Sequence, residues 1–172
     1  MKKKNAMFLI TGGLIAALYA MLTYLSAAFG LAYGPIQFRI SEAFTVLPIF
    51  SPAAIPGLAI GCLISNIGSF NAADMLFGTI ATLLAAIFTR LFRNIKIKGI
   101  PFLSLLCPVV FNAVIIGLEL ALLYFDEFSF MGFIIAALEV GLGELLVCFI
   151  LGIPFIKLLE KHNDKLFGKL NK

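Results

Sequence analysis

Long stretches without charge govern what this chain can become. Residues 6–29 carry no charged side chain at all, and further apolar runs follow at 37–51, 53–67, 72–91, 101–124 and 130–155. A bilayer core about 30 Å thick takes about 20 apolar residues per helix. Inside lipid every backbone N–H and C=O must be satisfied within the segment, which makes helices the natural form for these runs. The expectation is an all-α membrane protein of six transmembrane helices, a single integral membrane domain over 1–172. Of the 172 residues 62% are hydrophobic and 13% charged, against roughly a quarter charged in soluble domains. A soluble enzyme, a nucleic-acid binder and a disordered chain are excluded. The first run is too long for a cleavable signal peptide, and similar runs follow it.

The breaks are drawn by turn formers: Gly30, Gly34 and Pro35; Ser51-Pro52 with Pro56-Gly57; Asn66, Gly68, Ser69 and Asn71; Asp126-Glu127. The second and third runs are short and are expected to tilt or to form a partly re-entrant pair. Orientation follows from where Lys and Arg fall. Lys2, Lys3 and Lys4 head the chain; Arg90, Arg93, Lys96 and Lys98 follow the fourth run; Lys157, Lys161, Lys165, Lys169 and Lys172 close the chain. These segments hold twelve of the thirteen basic residues, and four plus two crossings bring all three to one side. Both termini are therefore expected in the cytoplasm, with the lysines touching anionic lipid head groups rather than nucleic acid.

The thirteenth, Arg39, falls at the opposite, outer mouth of the second run. Five acids, Glu42, Asp74, Glu119, Glu139 and Glu144, lie in or at the edge of spans. Each costs about 2.5–3.5 kcal/mol on insertion scales, so they avoid lipid. Interhelical hydrogen bonds explain one such group well; five, biased to the outer half, point to a ligand pocket opening outward. Helical spacing places Asn112 and Glu119 on one face, Arg39 and Glu42 three apart, and Asn66 and Asp74 across a turn. Glu139 and Glu144 diverge by about 140° around their helix. One arginine against five acids disfavours an anionic ligand. It suits a cation or a heterocycle rich in N–H donors, since a carboxylate accepts two parallel N–H bonds from an amidine-like edge, such as guanine N1–H and its exocyclic amine.

No phosphate-binding glycine loop, zinc-binding helix or nucleophile elbow occurs, so no catalytic residue, metal ligand or cofactor is assigned. Cys62, Cys107 and Cys148 read as small hydrophobes. Energy for active transport would come from ion coupling or a partner. Gly12, Ala16 and Ala20 recur every four residues on the first helix, and Gly57, Gly61 and Ser65 on the third. Such stripes let helices approach closely, either within the chain or against a partner.

With these features in place, the chain resembles the substrate-binding S components of energy-coupling factor (ECF) transporters. It is similar in particular to the QueT family of queuosine-precursor transporters. The resemblance is carried by Arg39-Ile40-Ser41-Glu42-Ala43-Phe44-Thr45-Val46-Leu47-Pro48, Ala54-Ile55-Pro56-Gly57-Leu58, Gly61-Cys62 through Asn66, and Asp74 with Phe77-Gly78-Thr79 and Ala81-Thr82-Leu83. Asn112-Ala113-Val114-Ile115, Glu119 and Gly143-Glu144-Leu145 continue it. Phe44 replaces an expected leucine, and Glu139 belongs to no part of the pattern. The resemblance implies a multi-pass protein of the bacterial plasma membrane that captures a 7-deazaguanine (queuine or its 7-aminomethyl or 7-cyano precursors). It implies delivery with a transmembrane coupling subunit and two cytoplasmic ATPases, docking through Ala16 and Ala20. A carboxylate among Glu42, Asp74, Glu119 and Glu144 would take the guanine edge, and Asn66 and Asn112 would orient the ring; Arg39 would line the site or lock Glu42. Other readings are an S component for another vitamin, a stand-alone ion-coupled or passive carrier, and a structural membrane subunit.

Overall fold

The computed structural model describes residues 2–32, 38–69, 71–123 and 128–166, with side chains omitted at 2, 3 and 163–166. Gly34, Pro35, Gln37, Asp126, Glu127, Lys169 and Lys172, and the side chains of Lys2, Lys3, Asp164 and Lys165, lie outside the described residues. Helix α1 covers Lys2–Ala28, α2 Ala54–Asn66, α3 Ala72–Leu91, α4 Phe102–Leu123, α5 Phe130–Ile150 and α6 Gly152–Leu166. Between α1 and α2 runs a 3₁₀ helix, Ile40–Ile49. Four stretches, Lys4–Ala28, Ala72–Leu91, Phe102–Leu123 and Phe130–His162, are long and apolar enough to cross a membrane. The protein is a multi-pass helical membrane bundle. Its outer surface is what lipid demands: Leu9, Ile10, Leu14, Leu138 and Leu142 are all exposed.

The second expected span is the 3₁₀ helix rather than an α-helix. Such helices seldom exceed three or four residues, and this one has ten. Pro48 removes a backbone donor inside it, and the Thr45 hydroxyl donates to the Glu42 carbonyl three residues back at 2.6 Å. Ser41, Glu42, Thr45, Val46, Leu47 and Pro48 are buried, because α1 to α6 all pack against this segment. Its first turn sits level with Ser26, whose hydroxyl accepts from Ile40 N at 3.0 Å. Its last turn reaches Arg90, whose Nη1 donates to Pro48 O at 2.9 Å. It therefore runs from the level of Ser26 to that of Arg90, and α2 returns alongside α1.

Helix α2 runs parallel to α1 in a tight seam. A Cβ on Gly57 would stand 2.7 Å from Gly12 O, and one on Gly61 2.9 Å from Ala16 O. Farther along, the Tyr24 hydroxyl donates to Ile64 O at 2.7 Å. On the far side, α3 and α4 are joined near the basic loop by a reciprocal pair. Thr89 Oγ1 donates to Ser104 O at 3.1 Å and Ser104 Oγ to Thr89 O at 2.9 Å. Asn71 caps α3 by accepting from Ala73 N at 3.0 Å, as a helix N-terminus prefers.

The last expected span, 130–155, is divided: α5 stops at Ile150 and α6 begins at Gly152. Helix α6 continues through the lysine-rich stretch read from sequence as a tail. Ile156 and Leu159 enter the core with Phe50 and Ile15, while Lys157 and Glu160 stay outside. Lys96 and Glu160 form an ion pair at 2.8 Å, holding the loop after α3 and the last helix at the same end of the bundle.

Candidate functional site

Arg39 stands at the N-cap of the 3₁₀ helix with extended backbone, and Glu42 lies in its first turn. Around them α2 adds Cys62, α3 adds Gly78 and Thr82, α4 adds Asn112 and Ile116, and α5 adds Val140 and Glu144, enclosing one cavity. Its volume is only about 10 Å³. This is below the roughly 300–1,000 Å³ of ordinary small-molecule sites, so a purine-sized guest requires the walls to part.

Four of the seven ligand-binding residues picked from sequence line this cavity: Arg39, Glu42, Asn112 and Glu144. All four are buried. Arg39 donates through Nε to Ala32 O at 2.9 Å and through Nη1 to Asn66 Oδ1 at 3.1 Å. Glu42 accepts from the Tyr19 hydroxyl on Oε1, while its Oε2 is buried without a hydrogen-bond partner among the described residues. The Cys148 thiol lies 3.8 Å from Glu144 Oε2. The arrangement offers acceptors at two carboxylates, donors at Arg39, and the two-sided amide of Asn112, brought together by the 3₁₀ segment, α4 and α5. It can hold a ligand with N–H groups on one edge and an acceptor on another.

The other three are placed differently. Asn66 stands behind Arg39 and also donates through Nδ2 to Asp74 O at 2.8 Å, so it supports the wall without lining it. Glu119 is buried on α4, next to the Asp74 carboxyl and off the cavity, its Oε1 without a hydrogen-bond partner among the described residues. Asp74 is half-buried, and its Oδ1 accepts from Asn71 Nδ2 at 3.2 Å. Glu139 is half-buried and also off the cavity. Of the four acids expected at the site, Glu42 and Glu144 line this cavity, and Asp74 with Glu119 form a second neighbourhood nearer the end of the bundle. Seven residues separate Glu119 from Asn112, about 10 Å along the axis, which carries it past the wall.

Sequence reasoning passed over Tyr19, Cys62, Thr82 and Gly78. Tyr19 carries no charge to mark it in an apolar run; its position seven residues after Gly12, on the small-residue face of α1, is the signal available in the sequence. Gly78 stands where a Cβ would lie 2.4 Å from Asn66 Nδ2. Because that amide is fixed on both sides, Gly78→Ala forces it off Arg39 or off Asp74. We expect affinity for the ligand to fall about tenfold in a binding titration, with the purified protein still monodisperse.

The residues expected to dock a partner lie on the inner side of α1. Ala16 and Ala20 are 4% and 6% exposed, turned inward, with Ala16 against Gly61 at the α1–α2 seam. Small residues pulled the two helices of the same chain together. Along the middle of α1, Gly13 and Ala17 are small residues that stay exposed.

The QueT transporter family model matches residues 9–161. A queuosine precursor transporter, QueT, of Lactococcus lactis subsp. cremoris is 40% identical over 83 residues, which is 48% of this chain and 49% of that protein. The aligned stretch thus spans about half the length of that relative. No solved structure matches. The family is one of transporters, not enzymes. With the match running from the first helix into the last, the chain is a member of the QueT transporter family.

Proposed function

We propose that this protein is the substrate-binding S component of an ECF-type importer in the bacterial plasma membrane. It captures a 7-deazaguanine queuosine precursor from outside for ATP-driven uptake. The observation that carries this reading is the convergence of Arg39, Glu42, Asn112 and Glu144 from three elements on one void inside an apolar bundle. Charges are expensive there and persist where they serve a ligand or a pathway. Family membership supports a transported guest, and the relative's name supports a queuosine precursor. The chemistry agrees: carboxylates accept from N1–H and the exocyclic amine, the Asn112 amide orients the ring, and a second carboxylate suits an aminomethyl cation.

In this reading both termini face the cytoplasm, as the lysines at that end favour. A transmembrane coupling subunit and two cytoplasmic ATPases supply the energy. The coupling subunit docks on α1 through its small-residue stripe with Ala16 and Ala20, and Gly13 and Ala17 lie exposed beside it. The walls part to admit the ligand and close on it.

The test is calorimetry on the purified protein with 7-aminomethyl-7-deazaguanine. We expect saturable 1:1 binding that weakens at least tenfold in Glu144→Gln and changes less in Glu119→Gln, whose side chain is off the cavity. Absence of binding to all three 7-deazaguanines would reject the reading.

A further inference from the structure

Glu42 differs from every other acid in the bundle. It lines the cavity, it is 3% exposed, and its two oxygens have unlike surroundings. Oε1 is engaged by the Tyr19 hydroxyl; Oε2 is buried with no partner among the described residues. A buried acceptor left unmade costs about 1–3 kcal/mol, more for a charged group, so an orphan here calls for an explanation. Glu119 has an orphan oxygen too, but it does not line the cavity, and Glu144 has the Cys148 thiol beside Oε2. Tyr19 is itself held firmly. It is fully buried, its Cβ lies where any side chain on Gly61 would stand, and its carbonyl accepts from Thr23 Oγ1 at 3.0 Å. Its hydroxyl is a donor toward Glu42, which leaves the carboxylate to act as an acceptor.

We infer that Tyr19 is a positioning residue for ligand selection: it holds Oε1 of Glu42 so that Oε2 faces the cavity as the acceptor for ligand N–H groups, and so sets the preference for a ring bearing an exocyclic amine. This rests on the function proposed above. Carboxylates keep about four lone-pair sites, so Oε1 retains one beside the phenol, and the two oxygens together match an N1–H and amine edge. A ligand without the amine leaves Oε2 unpaired, and the site rejects it for that reason. The phenol comes from α1 and the carboxylate from the 3₁₀ helix, so the selecting group is aimed by a different helix from the one that bears it.

The experiment titrates the full chain in detergent with 7-aminomethyl-7-deazaguanine and with its analogue lacking the 2-amino group. The unaltered protein is expected to favour the first by about 10- to 100-fold, as a hydrogen bond to a charged group implies. In Tyr19→Phe and in Glu42→Gln the ratio is expected to fall below about fivefold; Tyr19→His, which keeps a ring donor, restores part of it. A ratio unchanged in Tyr19→Phe, with both affinities lowered equally, marks Tyr19 as packing only and overturns the inference. So does an unchanged ratio in Glu42→Gln, which decides the matter if the Tyr19 variants do not fold. Equal binding of both analogues by the unaltered protein overturns the inference while leaving the proposed function standing; binding of neither brings down both.

Discussion

Arg39→Met is expected to abolish ligand binding and to lower the melting temperature in detergent by roughly 10 °C. Arg39 is 7% exposed and shares its cavity with Glu42 and Glu144. Its guanidinium also spans Ala32 O and Asn66 Oδ1. Removing one member of a buried charged set costs about 3–5 kcal/mol because the partners remain buried and uncompensated. Methionine has the length to fill the space, so the loss reports charge and hydrogen bonds rather than a cavity. Arg39→Lys keeps the charge without the planar fork, and an intermediate melting temperature is expected. Thermal unfolding followed by light scattering, together with the calorimetric titration, checks all three proteins. A melt within about 2 °C of the unaltered protein would contradict the electrostatic role given to Arg39.

The second large effect concerns the α1–α2 seam. Gly61→Leu is expected to yield no folded protein on extraction, since a Cβ alone would stand 2.9 Å from both Ala16 O and Tyr19 Cβ. Forcing bulk into a packed seam typically costs about 1–3 kcal/mol and sometimes more, and here backbone opposes it, with no flexible side-chain end to give way. Gly61→Ala is expected to fold with a lowered melting temperature. Gly13→Leu provides the contrast: nothing lies within 4 Å of a Cβ there, and the variant is expected to fold normally. Size-exclusion profiles of the three proteins in detergent decide the matter. Equal collapse of Gly13→Leu and Gly61→Leu would show that any bulk on these helices is fatal, whatever the seam.

Long spans are legible because length and apolarity alone specify them: α3 occupies 72–91 and α4 102–123, close to the apolar runs. The short middle segments were harder. A run such as Ile40–Ile49 has no periodicity that separates a 3₁₀ from an α-helix, and its burial on all sides is a tertiary fact. Helix α6 was missed because its lysines lower the hydropathy, while Ile156 and Leu159 three apart were the amphipathic signal. Within the site, charge marked Arg39, Glu42 and Glu144, since a charge in an apolar run is hard to overlook. Tyr19 and Thr82 carry no such mark. Cost alone cannot say which acids share a void, which is why Glu119 was grouped with Glu144 although it lies beside Asp74.

The ten-residue 3₁₀ segment has a mechanical corollary. A 3₁₀ coil advances about 2.0 Å per residue and an α-coil about 1.5 Å. Rewinding Ile40–Ile49 from one to the other would draw its ends together by about 5 Å and swing each successive side chain by about 20°. Since this strip bears Glu42 and is capped by Arg39, a slight change of pitch would carry both along the axis while leaving the surrounding staves in place. The bundle thus contains a screw at its centre.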